Sequence, residues 1–418
     1  MKVKLSMPSV RDIALNVSAT ATIRLVKKKA CEQLGIEPEL TSILHNGVRI
    51  DDNRMVGKVK LGQKPLIVDY LWARHLILWG QEGQKRLRES SVLIAGAGAI
   101  GNEVAKNLAM LGVKRLLIID NDVVELSNTS RMIFFERKNQ GSNKAEVLAR
   151  NIASKFPYVE TVAWTGALED LPLKHLLSVD VIVCGLDNVL SRIYLAQISR
   201  RYSLPMVDGG IVGYQGRVQV YVPPDMPCPL CAFPSRDYGR IAGLRNPCDG
   251  PAEEIKVPSL PTTISLVSSI QSQEAIKLII GYPKYLKAGT WPKPTGEPLK
   301  AILMIDLRYN RYSLMEVKRN KNCIVCGDSG IVEKPVPILT IPVAHLGDST
   351  SQLHHTVAKE MKLTDQQVML FSQKGNKTIK IDKGHSLRKL GLGAQDILTV
   401  VAQDGPNYRE AIVRLSRT

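Results

Sequence analysis

The stretch Gly96-Ala97-Gly98-Ala99-Ile100-Gly101 constrains this chain more than any other. It follows the apolar run Ser91-Val92-Leu93-Ile94-Ala95 and leads into a segment with helical spacing. Glycines so placed between a strand and a helix permit a tight turn and let the backbone approach a ligand. They also leave the N–H groups and partial positive charge of a helix N-terminus open to phosphate. Leu116–Asp120 and Asp180–Gly185 are again short apolar runs separated by helical segments. This alternation over residues 91–208 predicts an α/β unit with a parallel sheet and helices on both faces. Asp120, ending the second run, is placed to accept hydrogen bonds from ribose hydroxyls. To this point a nicotinamide or flavin dehydrogenase fits as well as an ATP site.

The pattern differs on either side. Val3, Leu5 and Met7 alternate, as do Ile13, Leu15 and Val17, which is strand periodicity. Ile23, Val26, Ala30 and Leu34 follow at helical spacing, and Asn46-Gly47 between apolar residues signals a hairpin. A strand at 66–70 closes the set. Strand, strand, helix, hairpin and strand over residues 1–70 is the element order of a small β-grasp module. After residue 208 the segment Arg217–Pro223 reads as an antiparallel strand. A stretch rich in Pro, Gly and Arg then runs from about 223 to 261, and a helix resumes at Ser265–Gly281. Pro335-Val336-Pro337 marks a linker. Beyond it, residues 338–418 repeat the N-terminal order, with a turn at Gly375-Asn376.

At 44% hydrophobic and 23% charged, the chain has the composition of a globular protein. No apolar run is long enough to span a membrane, and Met1–Val10 has no signal-like apolar segment. A cytoplasmic protein without membrane partners is expected. The net charge of +17 is spread along the chain, which argues against a nucleic-acid footprint but favours acidic partners, ATP among them. Lys27-Lys28-Lys29 reads as a solvated helix face.

Four of the seven cysteines form two pairs, Cys228-x-x-Cys231 and Cys323-x-x-Cys326. Four thiolates suit tetrahedral Zn²⁺ and leave no open position for catalysis, so a structural zinc site is expected. Cys31 lies on the apolar side of the N-terminal helix and reads as core. Cys184 ends an apolar strand, which argues against a nucleophile. No histidine has metal or catalytic spacing, and His354-His355 reads as solvated.

The segment that follows Asp120 decides between the nucleotide classes. Asp120-Asn121-Asp122-Val123-Val124-Glu125-Leu126-Ser127-Asn128-Thr129-Ser130-Arg131, followed by Gly141-Ser142-Asn143-Lys144-Ala145, resembles the nucleotide signature of the ubiquitin-activating superfamily. A triphosphate needs Arg131 and Lys144; a dehydrogenase does not. Two further matches fall in order, Ala73-Arg74-His75 and Cys184-Gly185-Leu186-Asp187-Asn188 with Arg192. The resemblance, over about residues 72–330, implies a Rossmann-like adenylation core with a mixed sheet, and adenylation of a modifier's C-terminal glycine carboxylate. It places Gly96, Gly98, Gly101, Asp120 and Asp122 at the nucleotide, with Asp120 on the ribose. It puts Asn128, Arg131 and Lys144 on the phosphates, Mg²⁺ on Asp187, and Arg74 in the partner's site of a homodimer. Asp187 at a strand end also reads as a helix cap, and Arg192 as a salt-bridge residue. The four-cysteine zinc site falls where this family carries one.

One departure divides the functional reading. Ser259-Leu260-Pro261-Thr262-Thr263 resembles a stretch of ubiquitin-fold-modifier-activating enzymes, whose nucleophilic cysteine lies three residues before the serine. Here that position holds Lys256, and Cys248 is the cysteine of the preceding polar loop. A thiolate at Cys248 would attack the acyl-adenylate to form a thioester, with Arg245 and the following helix lowering its pKa. The alternative is an enzyme that stops at adenylation and serves as a sulfur-carrier adenylyltransferase. A catalytically inactive scaffold that binds through its terminal modules is the reading from another class. The expected layout is a ubiquitin-like module (1–70), an adenylation domain with zinc site and crossover loop (71–332), and a C-terminal ubiquitin-fold domain (338–418) that recruits a conjugating enzyme.

Overall fold

The structure, a computed structural model, describes residues 1–59, 64–233, 258–328, 336–374, 377–394, 396–404 and 407–416. The chain divides into two compact units. One comprises Met1–Ser90, Leu108–Lys114 and Ile279–Glu297; the other comprises Ser91–Asn107, Arg115–Leu278 and Pro298–Thr418. Among the described residues no helix is long and apolar enough to cross a membrane.

The first unit begins with β1 (Lys2–Met7) and β2 (Arg11–Asn16), then α1 (Ile23–Leu34), β3 (Thr41–His45), β4 (Val48–Arg49) and β5 (Leu66–Tyr70). Val3, Leu5 and Met7 are buried while the residues between them face outward, the signature of a sheet with one covered face. Thr22 caps α1 by accepting from the Leu25 N–H, and Gly35 ends it in the left-handed region. The helix buries Ile23, Val26, Ala30, Cys31 and Leu34. Asn46 and Gly47 both have positive φ, at 48° and 78°, as a tight β3–β4 hairpin requires. The sheet order is β2-β1-β5-β3-β4, with β1 and β5 parallel. Of the three lysines on α1, Lys28 and Lys29 are exposed, but Lys27 is half-buried and paired with Asp52. Next comes α2 (Ala73–Glu89), interrupted at Gly80 (φ 71°).

The second unit is built on β6 (Ser91–Ala95), α3 (Ala99–Leu111), β7 (Arg115–Ile119), α4 (Lys144–Lys155), β8 (Glu160–Trp164), α5 (Leu173–Leu176), β9 (Val181–Cys184), α6 (Val189–Tyr202), β10 (Met206–Val212) and β11 (Gln215–Tyr221). It continues with α7 (Pro261–Ala288), β12 (Ile302–Asp306) and β13 (Arg311–Met315); the end of α3 from Leu108 and the end of α7 from Ile279 belong to the first unit. Their sheet runs β13-β12-β11-β10-β9-β6-β7-β8. Strands β8, β7, β6, β9 and β10 are parallel, and β11 to β13 extend the sheet antiparallel. Every residue of β6 is buried, which is why Ser91–Ala95 reads as a continuous apolar run. From β6 the chain steps outward to β7 and β8, then returns to place β9 on the other side. The strand order reverses at that point, which opens a crevice beyond the carboxyl ends of β6 and β9. The mixed sheet agrees with expectation.

The same unit ends with β14 (Ile338–Pro342), α8 (Thr350–Met361), β15 (Val368–Lys374), β16 (Lys377–Ile381), β17 (Ile397–Asp404) and β18 (Asn407–Ser416). Their sheet order is β14-β18-β17-β15-β16, with β14 parallel to β18. This is not the N-terminal order. The last strand wedges between the first and fourth, so the parallel pair moves to the sheet edge. Thr399, Val400 and Val401 of β17 pair with Ile412, Ala411 and Glu410 of β18. The turn expected at Gly375-Asn376 lies outside the described residues. His354 also differs from expectation: it is 4% exposed and its Nε2 lies 2.8 Å from the Ile381 carbonyl, whereas His355 is exposed. The buried face of α8 holds Leu353 and Val357, and His354 sits on the same side.

Candidate functional site

The glycine loop sits at the reversal of strand order. Gly96 has φ 96°, a left-handed conformation that favours glycine. A side chain at Gly96 would meet the Gly185 carbonyl at 3.2 Å, so the loops after β6 and β9 touch through backbone. At Gly101 a Cβ would fall 1.9 Å from the Gly96 oxygen, and no other residue fits. Gly98 differs: a Cβ there would meet nothing within 4 Å. Packing within the protein does not require that glycine, and the space beside it is open to a ligand.

Asp120 ties the loop to the next strand. Its Oδ2 accepts the Ala97 N–H at 2.7 Å, and its Oδ1 accepts the Asp122 N–H at 2.9 Å. Burial pushes its carboxyl above the ordinary range, against these hydrogen bonds and the charge of Lys144. Asn143 caps α4 through its Oδ1, while its Nδ2 donates to the Asp120 and Asp122 carbonyls at 2.9 and 3.2 Å. Lys144 therefore opens α4 beside the loop, and its Nζ lies 2.8 Å from Asp122 Oδ2. Asn128 is 4% exposed and accepts the Glu125 N–H at 2.9 Å. Arg131 is half-buried, with Nη1 donating to the Ser127 carbonyl at 2.7 Å.

On the other side of the crevice Asp187 is exposed. The neighbouring Asn188 caps α6, accepting the Ser191 N–H at 2.7 Å, so Asp187 does not serve as that cap. Arg192 pairs with Asp208 and also donates to the Leu186 carbonyl. Cys184 is buried, and burial followed by the nearby Asp208 pushes its thiol up to about 12, which argues against a nucleophile there.

The fold thus gathers Gly96, Gly98, Gly101, Asp120, Asp122, Asn128, Arg131 and Lys144 within one unit, and Asp187 follows the adjoining loop. Arg74 is exposed on α2, in the other unit. Cys248, Arg245 and Lys256 lie outside the described residues. Sequence reasoning missed Asn102. It is fully buried, donates to the Ala97 carbonyl at 3.2 Å, and accepts the Phe134 N–H at 3.0 Å. That side chain connects the glycine loop to the segment after Arg131. Its one sequence signal is an amide directly after Gly101, in the first turn of the helix that the glycine loop opens.

Cys228, Cys231, Cys323 and Cys326 converge as expected, with all four sulfur atoms within 4.8 Å of one another. Individual separations are 3.9 Å for Cys228–Cys231, 3.6 Å for Cys228–Cys323 and 3.3 Å for Cys231–Cys326. Tetrahedral zinc with sulfur at about 2.3 Å requires sulfurs about 3.8 Å apart, so the four donors fit that ion. Hydrogen bonds from Cys228 and Cys231 hold Cys323 and Cys326 low, the latter at about 7. The Asn320 N–H points at Cys231 Sγ from 3.5 Å, and Arg319 Nε donates to the Cys326 carbonyl at 2.9 Å. Donors of this kind orient ligands from outside.

A glycine loop, a half-buried acidic residue and a lysine at the switch point of a mixed sheet define a nucleotide-binding α/β protein. Residues 72–325 match the ThiF family, and the chain belongs to that family, within the ubiquitin-activating-like superfamily, whose adenylyltransferase core it carries. It is 30% identical over 270 residues to the SAMP-activating enzyme E1 of Haloferax volcanii, covering 62% of this chain and 89% of that protein. It is 30% identical over 280 residues to the adenylyltransferase and sulfurtransferase MOCS3-1 of Zea mays, covering 65% of this chain and 54% of that protein. The chain thus spans about half the length of the maize relative. The fold is also that of E. coli MccB, with a TM-score of 0.50 at 21% identity, over 62% of this chain and 75% of that one.

Proposed function

We propose that this protein uses ATP to adenylate the C-terminal glycine carboxylate of a ubiquitin-like modifier, in the cytoplasm. The observation that carries this reading is the meeting of Asp120, Asp122 and Lys144 with the glycine loop at the reversal of strand order. In the reaction the carboxylate oxygen attacks the α-phosphorus of ATP, an acyl–phosphate bond forms, and pyrophosphate leaves with the electron pair. The barrier is largely repulsion between anions, so positioned cations dominate catalysis. Asp120 would hold the ribose. Asn128, Arg131 and Lys144 would hold the phosphates over Gly96, Gly98 and Gly101, with Asp122 beside the nucleotide as the counter-charge that Lys144 exchanges for phosphate. Asp187 would hold Mg²⁺, which offsets phosphate charge when bound. The four cysteines would hold structural zinc, and Arg74 would complete the site in a homodimer.

In this reading residues 71–332 form the adenylation domain. Residues 1–70 form a ubiquitin-like β-grasp module, supported by the strand order β2-β1-β5-β3-β4. Residues 338–418 form a ubiquitin-fold domain of rearranged strand order that receives the conjugating enzyme. Cys248 would take the acyl group from the adenylate as a thioester, releasing AMP. A second reading ends at adenylation, as a sulfur-carrier adenylyltransferase; the likeness to the maize adenylyltransferase and sulfurtransferase favours it.

Incubation with ATP, Mg²⁺ and a Gly-Gly-ended modifier separates these readings. The proposal expects modifier-dependent ATP–pyrophosphate exchange and a conjugate cleaved by reducing agent. Cys248→Ala should lose the conjugate and keep the exchange. A conjugate that persists in Cys248→Ala excludes Cys248, and absence of exchange with any such modifier excludes adenylation.

A further inference from the structure

Beneath the loop that carries Asp187 lies an ion triad around the buried Asp208 that the proposed chemistry leaves unused. Asp208 on β10 is 1% exposed, in register with Cys184 at the end of β9. Its Oδ1 meets Arg192 Nη1 from the second turn of α6. Its Oδ2 lies 2.8 Å from Arg217 Nη2 on β11, close as an ion pair but off the hydrogen-bonding direction. Both guanidinium groups pack over Gly210, where a Cβ would lie 3.4 Å from Arg217 and 3.5 Å from Arg192. The other terminal nitrogen of Arg192 donates to the Leu186 carbonyl, the peptide just before Asp187.

Loop 185–188 is thereby anchored at three points. The Gly185 N–H donates to the Ala95 carbonyl at 2.9 Å, Leu186 is held by Arg192, and Asn188 accepts the Ser191 N–H at 2.7 Å. Asp187 is the exposed carboxylate between those anchors. Two of the anchors are local. The third depends wholly on Asp208, because a guanidinium this deep needs a fixed counter-charge to keep one orientation. Two cations share the one carboxylate below the loop.

We infer that Arg192, clamped by Asp208 and backed by Arg217, is the positioning residue that sets where Asp187 presents its carboxylate to a divalent cation. The inference rests on the proposed reading of Asp187 as the magnesium-holding residue. Arg192→Lys keeps the charge facing Asp208, but a single ammonium cannot span both the carboxylate and the Leu186 carbonyl. The measurement is calorimetric binding of ATP to the full-length protein, with EDTA and with Mn²⁺, beside thermal melting. In Arg192→Lys the Kd for Mn²⁺·ATP should rise about tenfold, in line with loss of an outer partner of a metal ligand, while the Kd for metal-free ATP stays unchanged. Arg217→Gln, whose parent side chain is more exposed, should raise the Mn²⁺·ATP Kd by about threefold and serves if Arg192→Lys does not fold. Asp187→Asn separates the two layers. If it leaves the metal-dependent part of binding intact, the reading of Asp187 fails. If it removes that part while both arginine variants bind Mn²⁺·ATP like the parent, the positioning role is overturned.

Discussion

Lys144 Nζ and Asp122 Oδ2 lie 2.8 Å apart at the start of α4, with Lys144 largely covered and Asp122 mostly exposed. The lysine thus has a local counter-charge where the proposed reaction brings a triphosphate. Two anions then compete for one ammonium. Lys144→Ala should cut ATP–pyrophosphate exchange by about 10²-fold or more, as for loss of a charge that stabilises the transition state. Asp122→Asn should instead tighten ATP binding by about two- to fivefold at low salt, since the competing anion is gone. Titration calorimetry of both variants at matched ionic strength checks this. An Asp122→Asn protein that binds ATP tenfold more weakly would make Asp122 a direct ligand and not a competitor.

The four-cysteine cluster predicts one zinc per chain with a structural role. Four thiols in mutual contact cannot all ionise unless a cation takes up their charge, so removing the metal should loosen the packing around Cys228 and Cys323. Chelation, or Cys323→Ser, should lower the melting temperature by roughly 5–15 °C, at about 2–4 °C per kcal/mol for a domain of about 150–250 residues. Pyrophosphate exchange well below that temperature should change by less than about threefold, because a closed site of four protein donors offers the substrate no position. Elemental analysis far below one zinc per chain would remove the assignment.

Glu37 links the N-terminal module to α2: it accepts from Arg88 Nε at 2.8 Å and from the Tyr70 hydroxyl at 2.8 Å. Burial alone would raise its carboxyl, but the hydrogen bonds from Arg88 and Tyr70 together outweigh burial and hold it below the usual range. A carboxyl depressed in the folded state stabilises at pH above its ordinary value of about 4.3, and that contribution drains away as pH falls through the folded value. Urea melts from pH 6 to pH 3 should therefore show Glu37→Gln less stable than the parent at pH 6, with the gap closing toward pH 3. A gap that stays constant across that range would assign the loss to packing and not to the charge.

Much of the nucleotide core was legible in order of sequence. Ser91–Ala95, Leu116–Ile119 and Val181–Cys184 read as strands because a strand covered on both faces has to be apolar throughout. Gly101 was legible because the turn leaves no room for a Cβ. The two cysteine pairs were legible because each pair chelates locally, although their meeting in space was not.

What the sequence could not display were choices made between distant segments. Strand β18 was not anticipated, and its insertion beside β14 breaks the expected repeat of the N-terminal order. Any apolar strand can pair with several others, and the partner is selected by what the whole module buries. Asn102, Asp208 and His354 look like surface residues in a linear reading, yet all three are buried. Their hydrogen-bonding partners Phe134, Arg192 and Ile381 lie far along the chain or on another element.

The sequence by itself determined the glycine turn, the residue types that suit a triphosphate, and the thiols that suit a tetrahedral ion, because each depends on chemistry within a few residues. Only the tertiary structure decided that the Gly96 and Gly185 loops touch, that Asp122 shields Lys144, and that Arg192 grips the peptide before Asp187. The first two join separate loops of the chain, and the third holds because folding gives the buried Asp208 carboxylate Arg192 as its partner.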